Sequence, residues 1–272
     1  QLIITFCLSF LVQSPVLANT SEPWEVELES CLSQKKKASL LITNDISGST
    51  SETDPKGLRG SATVAITRGL HEILYDINSS SENINFEIEI AFSSFNSRNI
   101  PIESWINLTS KPSEAILENI KTQSNRTVGG TAYSPALDHA NIEFTNTGLI
   151  DSCKILVFMS DGVPGINDSL SKIDTRTKSL KKDGIFLIGV QLGNQNDILK
   201  TIFGEIELIS PLQLTYSDGS AGEPHLFKGI YSKAKVFDAE NATDLLNAFL
   251  NIGNKFNSKA YIALLGKLYG IA

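Results

Sequence analysis

The chain reads as an α/β protein: a doubly wound, mostly parallel sheet with one antiparallel edge strand and helices on both faces. Three observations carry that expectation. The apolar runs Ala38–Asn44, Lys154–Met159 and Ile185–Gln191 lack strict alternation, as strands buried on both faces do. Segments with apolar residues at helical spacing separate them, so strands and helices alternate along the chain. One pair breaks the rhythm: Ile84–Phe92 and Ile100–Leu108 flank the turn Asn96-Ser97-Arg98-Asn99, which predicts a hairpin and so the antiparallel edge.

Taken in order, Ala38–Asn44 is the first and central strand. After a Ser/Thr-rich turn and Asp54-Pro55, a helix is expected from Gly57 to Ile77, with Ala62, Ile66, Leu70, Ile73 and Ile77 on its apolar face. The alternation of Ile84–Phe92 makes it a strand. Pro112-Ser113-Glu114 opens a helix to Lys121, and another runs from Tyr133 to Ile142 just past the tight turn Gly129-Gly130-Thr131. Lys154–Met159 is a strand, Leu170–Lys181 a helix, Ile185–Gln191 a strand and Asp197–Phe203 a short helix. Val236–Asp238 is a final short strand and Ala242–Ile252 a helix. Residues 204–233 contain Pro211, Pro224 and Tyr216-Ser217-Asp218-Gly219, and read as an ordered insertion longer than ordinary connections.

The two ends differ from this body. Leu2 to Val12 is apolar and is followed by Val16-Leu17-Ala18, a small-residue ending, so residues 1–18 are expected to be a secretory signal truncated at its start and cut after Ala18. That places the mature chain in the periplasm, at the cell surface or outside the cell. Residues 19–37 are polar and acidic and read as an N-terminal extension. Residues 257–272 read as a helical C-terminal segment too short to span a bilayer, so no membrane span is expected in the mature chain. With Cys7 removed, Cys31 and Cys153 remain near one end of the sheet, either paired or as two separate thiols.

The 272 residues are 41% hydrophobic and 19% charged, an ordinary globular composition. A formal charge of -7 argues against nucleic acid, whose phosphates need a basic surface. There is no phosphate-binding glycine loop, no Gly-x-Ser-x-Gly elbow and no Cys/His cluster of zinc type. His71, His139 and His225 are scattered.

Chemistry concentrates where strands end. Asp45-Ile46-Ser47-Gly48-Ser49 follows the first strand, Thr131 follows two glycines, and Asp161-Gly162 follows Lys154–Met159. In an extended turn, Asp45, Ser47 and Ser49 would point alternate side chains to one side. Thr131 adds a third hydroxyl and Asp161 a second carboxylate. In a doubly wound sheet these loops converge beyond the carboxyl ends of the strands, where strand order reverses. Five oxygens leave one position of an octahedron open, a donor set suited to Mg²⁺, with Mn²⁺ or Ca²⁺ as alternatives.

Asp45-x-Ser47-x-Ser49, Thr131 and Asp161, in this order and strand context, resemble the metal ion-dependent adhesion site of von Willebrand factor type A domains. Asp54-Pro55-x-Gly57-Leu58-Arg59 resembles bacterial members of that family. The resemblance covers residues 38–256. It implies direct ligation by Ser47, Ser49 and Thr131, with Asp45 and Asp161 acting through water or directly. It also implies a protein partner that offers a carboxylate to the open position, in a binding module rather than an enzyme. Two other classes are weighed. A metal-dependent phosphoester hydrolase would use Asp45 as nucleophile, but such chemistry usually wants a second acid two positions on, where this chain has Ser47. A structural subunit of a cell-surface assembly would use the metal only to hold its fold.

Overall fold

The computed structural model describes residues 22–80, 85–146, 149, 151–193, 197–216 and 218–239. Among these residues six strands form one sheet: β1 (Lys37–Asp45), β2 (Glu87–Phe95), β3 (Asn99–Asn107), β4 (Cys153–Ser160), β5 (Phe186–Leu192) and β6 (Ala234–Ala239), in the order β3-β2-β1-β4-β5-β6. Every pairing is parallel except β2 with β3. The expected doubly wound sheet with one antiparallel edge is the observed one.

Among the described residues seven helices accompany it: α1 (Pro23–Lys35), the single turn α2 (Thr50–Thr53), α3 (Leu58–Ser80), α4 (Glu114–Ser124), α5 (Tyr133–Asn146), α6 (Leu170–Lys182) and α7 (Ile198–Phe203). The pleat divides the core in two. Leu40, Ile42, Ile155 and Val157 point to one face, under Leu28, Leu70 and Ile120 of α1, α3 and α4. Leu41, Leu156 and Phe158 point to the other, under Leu137, Ile173 and Phe203 of α5, α6 and α7. Burial on both sides is why β1 and β4 are continuous apolar runs in the sequence.

β1 pairs with β2 on one side, Asp45 opposite Phe95, and with β4 on the other, Asn44 opposite Met159. The chain leaves β1 toward β2 and later returns to the opposite side through β4. Strand order therefore reverses between β1 and β4, and a crevice opens beyond their carboxyl ends.

Most elements fall within three or four residues of their expected bounds, and the departures have local causes. β2 runs from Glu87 to Phe95 rather than from Ile84 to Phe92. The Asn78 side chain bonds both the amide and the carbonyl of Phe86, which fixes the backbone just before the strand. Ser93 and Ser94 extend the strand because they are buried, Ser93 against the Thr43 hydroxyl at 2.8 Å. α2 has no counterpart in the expectation. Part of the segment taken as a polar extension is α1, begun by Pro23 and a capping box between Glu22 and Glu25. It buries Trp24, Leu28 and Leu32, with Trp24 edge-on to Phe237 at 6.0 Å. Residues 1–18, the helix expected over 242–252 and the segment 257–272 lie outside the described residues.

Cys31 of α1 and Cys153 of β4 form a disulfide, Cα atoms 5.9 Å apart, so of the two alternatives the pair is realised. Between α7 and β6, antiparallel bridges join Leu212 to His225 and Thr215 to Ala221, and Leu214 and Phe227 are buried. Among the described residues no helix is long and apolar enough to cross a membrane.

Candidate functional site

Asp45 ends β1 with its side chain fully buried, and both carboxylate oxygens accept hydrogen bonds. The Ser47 amide donates to Oδ1 at 2.8 Å and the Ser160 hydroxyl to Oδ2 at 2.7 Å. The chain then turns instead of continuing extended. Thr50 and Ser51 donate back to the carbonyls of Ser47 and Gly48, and Ser49 has helical angles, φ -59° and ψ -30°, at the start of α2. The extended-turn account of Asp45-x-Ser47-x-Ser49 is therefore replaced: Ser47 Oγ and Ser49 Oγ meet at 3.0 Å because a tight turn folds them together.

The Thr131 loop is fastened to this turn by backbone bonds. The Val128 amide donates to the Ile46 carbonyl at 2.7 Å, and the Gly48 amide to the Gly129 carbonyl at 2.9 Å. Gly129 has φ +81°, in the left-handed region that favours glycine. Asn96, after β2, donates from its side chain to the Val128 carbonyl and accepts the Ala132 amide on its own carbonyl. Thr131 is thus held through its neighbours, while its own hydroxyl makes no hydrogen bond among the described residues.

Asp161 follows β4. Its Oδ1 accepts from Ser49 Oγ at 3.1 Å and its Oδ2 from Thr53 Oγ1 at 2.6 Å. The next residue, Gly162, has the Thr131 and Ser49 hydroxyls on its side-chain face: a Cβ there would sit 3.7 and 3.8 Å from them. The Gly165 amide donates to the Thr131 carbonyl at 2.7 Å. Further along, buried Asp168 accepts from the amide and hydroxyl of Ser134 at the start of α5. The structure thus brings all five residues, Asp45, Ser47, Ser49, Thr131 and Asp161, to the crevice between β1 and β4.

Charge is poorly balanced there. Burial pushes the Asp45 carboxyl up to about 6, and the charge of Asp161 adds to the rise against the bonds from Ser160 and Ser47. One cation that feels both acids is Arg59 on α3, itself fully buried and ion-paired to Asp54 at 3.3 Å. Burial lowers the Arg59 guanidinium, and the fields of Asp54, Asp45 and Asp161 oppose that. Asp54 also accepts the amides of Leu58 and Arg59, which starts α3.

An open cleft of about 470 Å³ lies over this ground. Ser47, Ser49 and Thr131 line it, and Asp45 and Asp161 do not. Val163 and Ile166 line it as well, with Thr215, Tyr216 and Asp218 from the α7–β6 segment. Among the described residues no lysine or arginine lines it. Sequence reasoning missed Ser160, Thr53 and Tyr133. Tyr133 is fully buried with its hydroxyl 2.7 Å from the Gly162 carbonyl and 2.9 Å from Ser160 Oγ, and burial pushes the phenol up, so it serves as a donor. Ser160 directly precedes Asp161, but its contact to Asp45 crosses from β4 to β1, a relation no local pattern carries. The histidines stand apart from the site: His71 at the Leu108 carbonyl, His139 near Glu143 and His225 at Asp174. Among the described residues no three His, Cys, Asp or Glu side chains cluster as metal ligands, so any cation here would depend on the hydroxyls.

No protein-family model matches the chain, and no curated protein matches it. Solved structures do. The PilB minor pilin from Streptococcus sanguinis is 14% identical over 83% of this chain and 63% of its own, with a TM-score of 0.56. A von Willebrand factor type A structure from Catenulispora acidiphila is 11% identical over 81% and 42%, at 0.52. Proximal thread matrix protein 1 from the mussel byssus, with a zinc-occupied MIDAS motif, is 12% identical over 80% and 48%, at 0.51. The chain spans 42–63% of the length of these three. At such identities the likeness is one of architecture: the chain has the fold of von Willebrand factor type A domains.

Proposed function

We propose that the chain is an exported binding module that holds a divalent cation, Mg²⁺ before Mn²⁺ or Ca²⁺, and captures an acidic group of a protein partner. The observation that carries this reading is the division of labour among the five residues. Three hydroxyls line an open cleft, and two carboxylates stand out of it, one of them buried and uncomfortable in its charge. A hard cation suits such oxygens and relieves the Asp45 charge, which burial and the neighbouring Asp161 both oppose. Ser47, Ser49 and Thr131 would hold it directly, with Asp45 and Asp161 orienting the hydroxyls or bound water. Bound there, it would supply a Lewis-acid position for a partner's carboxylate in a cleft that no basic side chain lines among the described residues.

The protein's own residues do the rest. Ser160 and the Ser47 amide fix the Asp45 carboxylate, Thr53 fixes Asp161, and the Gly48–Gly129 bond keeps the Thr131 loop in register. The neighbour with zinc at its MIDAS motif, and the pilin, are consistent with adhesion or assembly. The Cys31–Cys153 disulfide suits an oxidising compartment outside the cytoplasm.

The hydrolase reading fares worse. An Asp45 nucleophile would need an approachable oxygen, and both of its oxygens are buried and engaged. Calorimetry of Mg²⁺ into the full chain tests the proposal. One saturable site is expected in the wild type and none in Asp45→Ala; equal heats for the two would sink it.

A further inference from the structure

The two loops that carry the hydroxyls are tied at a third point, by a charged group outside the five oxygen-bearing residues. The loop after β1 and the loop between α4 and α5 share two neighbouring backbone bonds, Val128 to Ile46 and Gly48 to Gly129. Two adjacent bonds hold such strips together yet leave them free to hinge about the line they share. The Arg59 guanidinium attaches elsewhere on both. Its Nε lies 3.3 Å from Asp54 Oδ2, and its Nη2 donates to the Arg126 carbonyl at 3.4 Å.

Each end of this strut is fixed in turn. Asp54 accepts the Leu58 and Arg59 amides at 2.7 and 3.0 Å, and its own amide donates to the Thr50 carbonyl at 2.9 Å. It thereby joins α3 to α2, the turn that follows Ser49 and places Thr53 on Asp161. At the other end, Arg126 follows Asn125, whose Oδ1 accepts the Gly60 amide at 2.8 Å. Gly60 has no room for a Cβ, which would run into the Lys121 carbonyl and the Asn125 side chain. Asn44, the residue before Asp45, donates to Thr63 of α3 and Ser124 of α4 at 3.2 and 2.9 Å. The start of α3 and the end of α4 are thus keyed to the end of β1.

Stability alone does not account for a guanidinium here. Arg59 is fully buried; its Nε faces Asp54 without hydrogen-bond geometry, and its Nη1 makes no hydrogen bond among the described residues. A buried donor without a partner costs free energy, and a neutral pair of similar size is often no less stable than a buried ion pair. What the guanidinium adds is a planar fork that addresses two groups at a fixed angle, which a flexible ammonium does not. Fixed loops matter most for a small cation. Mg²⁺ demands near-ideal octahedral geometry at about 2.0–2.1 Å, whereas Ca²⁺ accepts variable geometry at about 2.3–2.6 Å. We propose that Arg59 is a positioning residue that fixes the Ser47 and Ser49 hydroxyls against Thr131 and so sets a preference for Mg²⁺ over Ca²⁺. This rests on the cation-holding reading of the site. Arg59 does not line the cleft; it acts through Asp54 and α2 on one side and through residues 126–131 on the other.

Calorimetry of Mg²⁺ and of Ca²⁺ into the full chain tests this, on the wild type and on Arg59→Lys, which keeps the charge and loses the fork. The wild type is expected to favour Mg²⁺. In Arg59→Lys the ratio of Mg²⁺ to Ca²⁺ affinity should fall about tenfold, at the lower end of what the outer partners of metal ligands typically command, with Mg²⁺ weakened and Ca²⁺ nearly unchanged. A merely structural loss would weaken both ions alike and leave the ratio where it was. If Arg59→Lys does not fold, the neutral pair Asp54→Asn with Arg59→Met strands no buried charge and carries the same expectation. A wild type that does not favour Mg²⁺, or a ratio unmoved in the variant that folds, overturns the role of Arg59 and leaves the cation site standing. If neither ion gives heat with the wild type, the cation reading fails and this inference falls with it.

Discussion

Asp45, Ser47, Ser49 and Asp161 sit on the ends of β1 and β4, at the centre of the sheet, with the Asp45 carboxylate fully buried. Tyr216 and Asp218, which also line the cleft, sit on a turn of the α7–β6 segment, with Asp218 exposed and bonded to its own turn. The first wall inherits its geometry from strand register: the Ser160–Asp45 bond exists because β4 pairs with β1. The second makes its own geometry from local turn bonds and two buried anchors. A wall tied to register is hard to vary without disturbing the core, whereas a self-contained turn can change residues freely. On the proposed function, the first wall would hold the cation, and the choice among ligands would fall to the second.

The largest expected effect tests whether the first wall is as stable as the sheet that bears it. The Cys31–Cys153 bridge closes a loop of sequence separation 122, and on the chain-entropy model its removal costs about 5 kcal/mol. Denaturant unfolding of the double Cys31→Ser, Cys153→Ser chain should lose that much. An unchanged midpoint would mean that Trp24, Leu28 and Leu32 hold α1 on the sheet without help.

A smaller effect of opposite sign is expected at Asp45. Its folded carboxyl titrates at about 6, above its ordinary 3.8, so folding favours the protonated form. That stabilisation is complete below the ordinary value and is lost as pH rises through 6. In chelator, the wild type should melt lower at pH 7 than at pH 5. Asp45→Asn should lack that trend and be more stable at pH 7, by at most about 3 kcal/mol, the value of a shift of this size. Mg²⁺ affinity of the wild type should weaken below pH 6 as protons compete for the carboxylate. A flat melting profile would place the charge in better company than burial implies.

Thr131→Ala isolates the cation's share of the same wall. The hydroxyl makes no hydrogen bond among the described residues, so metal-free stability should stay within about 0.5 kcal/mol of wild type. Mg²⁺ affinity should fall about tenfold, in the range typical of a single oriented donor to a metal. A large loss of stability without Mg²⁺ would show that Thr131 braces the loop instead.

The same contrast explains what the sequence disclosed. β1 and β4 are legible because burial on both faces leaves continuous apolar runs, and the loops after them follow from topology. Asp45, Ser47 and Ser49 are legible as a spacing, though the turn that joins them is not, because Ser49 takes helical angles that the spacing alone does not demand. Ser160 and Thr53 are invisible, since a hydroxyl's role depends on which strand or helix lies across from it. α1 is legible in retrospect: Trp24, Leu28 and Leu32 recur every fourth residue, but three glutamates within the helix, Glu25, Glu27 and Glu29, mask the stripe. The turn at Tyr216–Gly219 is readable from composition, and its placement over the site is not.

The smallest effect is expected on the second wall. His225 joins the α7–β6 hairpin to α6 through Asp174, and its ring packs edge-on to Phe227 at 4.9 Å. His225→Ala removes both contacts, yet it does not strand Asp174, which keeps Lys178 at 2.7 Å. A buried acid that retains a partner avoids the several-kcal/mol cost of an uncompensated charge, so the loss should be about 1 kcal/mol. That loss should also be local. Amide exchange at Leu212 and Tyr216, whose bonds close the hairpin, should accelerate, while exchange in β1 and β4 stays unchanged and Mg²⁺ binds as before. If β1 and β4 open together with the hairpin, the two walls form one cooperative unit, and the freedom of the second wall to vary independently is lost with it.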